Sequence, residues 1–329
     1  MSFLYIVIAL VLVFDFINGF HDSANSIATV VSTKVLSPIA AVCMAAFFNF
    51  IAFVIFPLNV AHTMGKGVIN PDVINLTVIA SALIAAIAWN LITWWLGLPS
   101  SSSHTLVGGL VGAAVASTGW SSVIMAGVLK IVVFIVIAPL LGMIMSFIIS
   151  AFVIFLARNH SPSGIDKHFR RLQLLSAAAF SLGHGGNDAQ KSMGIIWVSL
   201  IVSGLATKND PIALWIVLSC QAAIAMGTLL GGWRIVKTMG QKITKLKPLE
   251  GFCAESAGAL TLFGATHFGI PVSTTHVITG AIIGAGARKG VSAVKWGVTT
   301  KIFWAWILTI PVSAIVGSSV YLFLNWILS

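Results

Sequence analysis

With 329 residues, 58% of them hydrophobic and only 8% charged, and a mean hydropathy of +1.03, the chain lacks the polar surface of a soluble domain, where about a quarter of residues are charged. The net charge of +10 would suggest nucleic acid in a soluble protein; here the basic residues gather in two segments and fit the cytoplasmic bias of Lys and Arg in membrane proteins, so no nucleic-acid partner is expected. The composition points to an all-α polytopic membrane protein in a lipid bilayer.

In chain order, the run Phe3 to Phe14 has no basic residue before it and leads directly into Asp15. It reads as half a transmembrane helix rather than a cleaved signal peptide. Asn18 and Gly19 then interrupt the apolar run, and irregular backbone at membrane depth is tolerated only against protein or a watery cavity, so a cavity-lining break is predicted. With a new helix starting near His21, Asp22, Asn25, Ser26, Thr29 and Thr33 fall at i, i+3, i+4, i+7 and i+11, on one polar face. Segments 39–57 and 73–97 each reach the roughly 20 apolar residues of a spanning helix. The loop 58–72 between them carries Lys66 against Asp72.

Next comes Pro99-Ser-Ser-Ser-Ser-His104. Proline ends one segment and is suited to the first turn of the next helix, which places Ser101, Ser102 and Ser103 at or near a helix amino terminus. Unpaired N–H groups, the positive end of the helix dipole and the hydroxyls would then converge, an arrangement that binds anions. Segment 123–157 is long enough to span; Pro139 leaves open one tilted helix or two short ones.

The chain then repeats itself. Gly19-Phe-His-Asp-Ser-Ala-Asn25 is answered by Gly185-Gly-Asn-Asp-Ala-Gln-Lys191, and Pro99 to His104 by Pro271-Val-Ser-Thr-Thr-His276. The offset is 166 between Asp22 and Asp188 and 172 between His104 and His276. Gly183, Gly185 and Gly186 predict an equivalent break, and Asp188, Lys191, Ser192 and Ser199 an equivalent stripe. Ser273, Thr274 and Thr275 match the first hydroxyl cluster. Segments 211–232 and 296–328 are further spans. The division is a first transmembrane repeat 1–157, a basic cytoplasmic linker 158–171 (Arg158, Lys167, Arg170, Arg171) and a second repeat 172–329. After residue 232 come Arg234, Lys237, Lys242, Lys245 and Lys247, whereas the equivalent loop 58–72 is not basic. Equivalent loops on opposite sides predict inverted-topology repeats of about five crossings each, with broken helices and paired hairpin motifs near the midplane.

A polar seam that merely glues helices is the bland alternative for the hydroxyls. Two matched aspartates and a lysine at midplane depth favour a site that the halves build together. His21 stands where the second half has Asn187, and reads as structural or as a local proton acceptor. Ser beside His104 and His276 raises a nucleophile-and-base pair, but no third group orients either ring, so the expectation is hydrogen-bonding histidines that fix the hairpins. Glu255, with Leu83 as its counterpart, is either a site residue or a group near the cytoplasmic surface below Lys247. Gly108 with Gly112 and Gly280 with Gly284 allow close helix approach. Cys43, Cys220 and Cys253 are solitary and read as packing residues.

At these residues the chain resembles a known family. GFHDSANSIATVVSTKVLSP and SLGHGGNDAQKSMGIIWVSLI are similar to the two signature segments of the inorganic phosphate transporter (PiT) family, most of all its bacterial low-affinity members, and PSSSSHTLVGGLVGA and PVSTTHVITGAIIGA to its paired hairpin motifs. The resemblance implies a transporter rather than an enzyme: symport of inorganic phosphate with a cation, H+ or Na+, by alternating access. It carries substrate binding to Asp22, Asn25, Ser101, Ser102, Ser103, Asp188, Ser273, Thr274 and Thr275, with Lys191 added from the second stripe. Coupling-ion candidates are Asp22, Asp188, Asn187, Ser26, Ser192 and Glu255; His21, His104, His276, Gly19, Gly185 and Gly186 support the site. No cofactor is implied beyond Na+ as one of the two coupling ions. A sulfate symporter of the same fold and a passive anion channel are the alternatives, and a homo-oligomer in the inner (plasma) membrane is open. The large hydrophilic central insertion of many animal members is missing.

Overall fold

A computed structural model describes residues 2–64, 67–70, 73–159 and 161–328. Lys66 and Asp72, on which the comparison of the two loops partly rests, lie outside the described residues. The chain folds into twelve α-helices among the described residues: α1 Ser2–Ser32, α2 Pro38–Ile51, α3 Asn59–Met64, α4 Leu76–Leu96, α5 Ser102–Thr118, α6 Met125–Ala157, α7 Pro162–Val202, α8 Leu214–Leu230, α9 Trp233–Lys237, α10 Pro248–His267, α11 Thr274–Ala287 and α12 Trp296–Leu328. Local chemistry sets many of the ends. Ser37 caps α2 ahead of Pro38, Ser161 caps α7 ahead of Pro162, and Asn75 accepts the Val78 N–H at the start of α4. Gly97 closes α4 in the left-handed region at φ +67°.

The apolar face is on the outside. Leu129, Val132, Val136, Leu140, Ile144 and Phe147 of α6 are exposed, as are Ile307, Ile315 and Phe323 of α12, while Asp22, Asp188, Glu255, Gln173 and Lys191 are buried. A surface of this kind belongs in hydrocarbon, and the chain is an integral, multi-pass membrane protein. Among the described residues α1, α4, α6 and α12 are long and apolar enough to span, and α8 with α9, bent by 61°, makes a fifth if the pair is one span.

Exchanging the halves maps the helix packing onto itself. α5 lies on α12 as α11 lies on α6, α10 on α7 as α4 on α1, α8 on α1 as α2 on α7, and α5 on α4 as α11 on α10. Each half's short helix therefore seats on the other half's last one. Gly108 and Gly112 bring α5 against the backbone of Ile310 and Ala314; Gly280 and Gly284 bring α11 against Pro139 and Met143. A methyl group at any of the four would overlap that backbone.

The predicted breaks are corrected. α1 runs without interruption through Asn18 and Gly19, and α7 through Gly183, Gly185 and Gly186. Glycine costs about 1 kcal/mol in a helix interior, and here close approach offsets it: Gly19 faces the Ile224 carbonyl, Gly185 the backbone of Asn49, and Gly186 the ring of Phe56. Phe3–Phe14 is accordingly part of a 31-residue helix rather than half of one. α6 is one helix through Pro139. Segment 39–57 forms only the 14-residue α2 followed by a short 3-10 turn. The basic stretch read as a linker is, from Pro162 onward, the first turns of the 41-residue α7. The stretch after 232 is likewise not open loop: α9 leads into a π-helical turn at Thr238–Lys242.

Candidate functional site

α1 and α7 cross at the centre, and the amino termini of α5 and α11 point at the crossing. Ser101 caps α5 by accepting the His104 N–H at 3.3 Å, and Ser273 caps α11 by accepting the His276 N–H at 3.3 Å. Pro99 and Pro271 lie in the extended segments before these caps, not in the first turns as predicted. The Pro99 carbonyl is held by the Trp306 indole N–H at 2.9 Å.

The two carboxylates face these ends. Asp22 Oδ1 is 2.6 Å from His21 Nδ1, and its Oδ2 accepts from Ser102 at 3.3 Å, Thr275 at 3.2 Å and Thr274 at 3.5 Å. Asp188 Oδ1 takes the Lys191 ammonium at 2.5 Å, and its Oδ2 accepts from Thr274 at 3.1 Å and lies 3.3 Å from His184 Nε2. Thr274 thus bridges both acids. Asn25 donates to Thr275 at 3.0 Å, and Lys191 donates to Ser103 at 2.6 Å and to the Val272 carbonyl at 2.8 Å. Ligand atoms of Asp22, His184 and Asp188 all lie within 4.8 Å of one another, close enough to hold a cation. Lys191 is 2% exposed. Its charge stays in the core and does not snorkel to the interface.

Other nominated residues sit elsewhere. Ser26 is buried without a hydrogen-bond partner among the described residues, and Ser192 is buried beside Asp15. Asn187 donates to Thr266 at 3.0 Å and the Ile270 carbonyl at 3.3 Å, towards the end of α10 rather than among the acids. Glu255 is fully buried, which removes the reading that puts it at the surface. It anchors a separate network, accepting from Gln173 at 3.0 Å and Ser176 at 2.5 Å, with Thr33 donating to Gln173 at 2.9 Å. The side chains of His104 and His276 reach out of their own turns, His276 towards the Ile135 backbone. Their rings meet edge to face at 4.8 Å across the two halves, and His276 stacks on Trp306 at 3.9 Å.

Sequence reasoning missed several groups in this core. Asn18 accepts from Ser102 at 2.6 Å, and His184, its equivalent, contacts Asn49 at 3.1 Å. Asp15 is fully buried, and Ser192 and Cys220 lie beside its carboxylate. Asp15 and Asn18 precede Asp22 by seven and four residues. A helix continued through Gly19 puts all three on one face.

An opening walled by Thr63, Lys130, Phe134, Ile270 and Pro271 reaches Ser103 and Ser273. Gly67, Val68 and Gly127 also line it. Of the basic residues after 232, Arg234 donates to the Trp95 carbonyl near the end of α4 at 2.5 Å. Just past the end of α1, Arg170 donates to the Lys34 carbonyl, and Lys289 donates to the Lys245 carbonyl.

Comparison with known proteins agrees with this architecture. A profile described as the phosphate transporter family matches twice, over residues 18–165 and 154–317. The chain is 55% identical over 314 residues to a probable low-affinity inorganic phosphate transporter of Rhizobium meliloti (strain 1021), covering 95% of this chain and 94% of the relative. It is 43% identical over 324 residues to the protein so described in Bacillus subtilis (strain 168), covering 98% and 97%. A solved structure described as the sodium-dependent phosphate transporter superposes with a TM-score of 0.88 at 28% identity, covering 99% of this chain and all of that one. With two copies of the family profile, near full-length relatives and a shared fold, the chain belongs to the phosphate transporter family.

Proposed function

We propose that the chain carries inorganic phosphate across the membrane by cation-coupled symport with alternating access. The observation that carries the reading is the convergence, in one buried core, of two capped helix amino termini and two aspartates contributed by opposite halves. First-turn N–H groups and the hydroxyls of Ser102, Ser103, Thr274 and Thr275 replace the anion's water. Asp22 and Asp188 accept hydrogen bonds from protonated phosphate oxygens or bind the coupling cation, H+ or Na+, for which Asp22, His184 and Asp188 offer a ligand set. No covalent chemistry is needed.

In this reading residues 1–157 and 172–329 are inverted repeats of about five crossings each, joined through a cytoplasmic basic segment. The double profile match and the self-mapping helix packing support it. The α4–α5 and α10–α11 pairs are then the hairpins, and rocking of one assembly against the other exposes the site alternately. In this reading the membrane is the inner (plasma) membrane, and the opening beside Lys130 is one route by which phosphate reaches Ser103 and Ser273.

Purified protein in proteoliposomes tests the reading. Labelled phosphate should accumulate against its gradient when a proton or sodium gradient is imposed, and accumulation should stop when that gradient is collapsed. Equilibration without accumulation would instead mean a passive anion channel.

A further inference from the structure

We propose that the Lys191 ammonium is a tethered cation occupying, in the second half-site, the place that a mobile coupling cation takes in the first. The proposal rests on the cation-coupled reading above and deepens it. Under the offset of 166, Lys191 stands where the first half has Asn25; under the offset of 172, Ser103 stands where the second half has Thr275. The contacts follow the same exchange, with Asn25 donating to Thr275 at 3.0 Å and Lys191 to Ser103 at 2.6 Å.

The two halves then part company. The Lys191 nitrogen is ringed by three oxygens, Asp188 Oδ1 at 2.5 Å, Ser103 Oγ at 2.6 Å and the Val272 carbonyl at 2.8 Å, in a core where the side chain is almost wholly buried. A carboxylate, a hydroxyl and a carbonyl are the donor set that a small hard cation takes. In the first half Asp22 Oδ1 faces the His21 ring at 2.6 Å, but among the described residues no fixed positive side chain approaches Asp22 from the Asn25 position, and two buried oxygens there, Asn25 Oδ1 and Ser26 Oγ, have no partner. Unpaired buried oxygens beside a carboxylate are costly unless a cation or proton completes them. One half is therefore filled by a charge of its own; the other is left to a charge from solution.

The consequence is stoichiometric. A carrier that holds one of its two cations permanently moves one positive charge fewer per phosphate than a carrier with Asn in both positions. The test is Lys191→Asn, which gives the second half the residue of the first, with Lys191→Gln in parallel as a guard against misfolding. In proteoliposomes, the charge moved per phosphate is read from the reversal potential of uptake, with sodium and proton gradients imposed separately. The variants should carry one more positive charge per phosphate than the wild type, and uptake should depend on the coupling cation with a Hill coefficient raised by about one. Phosphate binding to the detergent-purified variants, weak at low cation concentration, should be restored by raising Na+ or H+. An unchanged charge-to-phosphate ratio in a transporting variant overturns the proposal, as does loss of phosphate binding in folded Lys191→Asn and Lys191→Gln that no cation concentration restores. A wild type that fails to accumulate phosphate under either gradient would instead sink the symport reading itself.

Discussion

The Asp22 carboxylate accepts a hydrogen bond from Thr275, 253 residues further along the chain, across 3.2 Å. The site is therefore assembled only when both halves are in place, and its first acid is oriented by the second half's helix end. Asp22→Asn and Asp188→Asn should each cut coupled uptake by at least about tenfold to a hundredfold while leaving the protein inserted and folded. An amide keeps the shape but loses the charge. Removing a charged partner from a buried hydrogen bond costs roughly 1.5–3 kcal/mol, which is about tenfold to a hundredfold in a rate or an affinity. Initial rates of gradient-driven phosphate uptake check it, and near-wild-type accumulation in either variant would remove that acid from the site.

Asp15 leads to an opposite pair of effects. Its carboxylate is wholly buried, with Ser192 and Cys220 beside it and no basic partner in contact among the described residues, an arrangement that lowers stability. Asp15→Leu should raise the melting temperature in detergent and lower coupled uptake at least about tenfold, the pattern of a strained group kept for function. Thermal unfolding and uptake on the same preparation decide it. Full uptake with raised stability would make Asp15 a mere liability.

The seam glycines are tested by bulk. Gly112→Leu and Gly284→Leu push a side chain into the backbones of Ala314 and Met143. Overpacking of this kind costs about 1–3 kcal/mol or more. Both variants should lose thermal stability by similar amounts, because the packing of α5 on α12 repeats that of α11 on α6. A loss confined to one variant would count against equivalent seams.

Anion selectivity follows from protons. Near neutral pH phosphate keeps one or two and sulfate none, so acids that face the anion accept hydrogen bonds from phosphate but repel sulfate. Excess arsenate should displace labelled phosphate and excess sulfate should do so poorly, by about tenfold or more. Equal displacement would mean that Asp22 and Asp188 do not touch the anion.

Single cysteines at Ser121 and Lys242, both exposed, in a background with Cys43, Cys220 and Cys253 replaced, should be labelled from opposite sides of the membrane. Labelling from one side only would remove the inverted arrangement of the repeats.

What the sequence made legible is what is decided locally. Ser101 and Ser273 were readable as helix starts because a cap depends on a few neighbouring residues, and the stripe from Asp22 to Thr33 because period and polarity coincide. Gly19 and Gly185 were misread because a glycine that breaks a helix and one that admits a neighbour's backbone look alike until the neighbour is known. That error hid Asp15, Asn18 and His184, which lie on the same faces as Asp22 and Asp188 only if the helices continue. Asn187 was nominated by its place beside Asp188, yet adjacent residues on a helix point about 100° apart. His104 and His276 read in sequence as hydrogen-bonding residues that fix the hairpins, because no local pattern shows that their rings pack on each other and on Trp306.

The crossed seating of the short helices has a consequence for synthesis. α5, with its hydroxyl-lined start and its glycine seam, leaves the ribosome early, yet the surface it seats against, α12, is the final helix described. The first half must therefore wait in the bilayer with that seam uncovered while the rest of the chain is made. A chain cut before Trp296 would lose the mate of its own first half, and quality control would meet it as an unfinished protein however well its early helices had inserted.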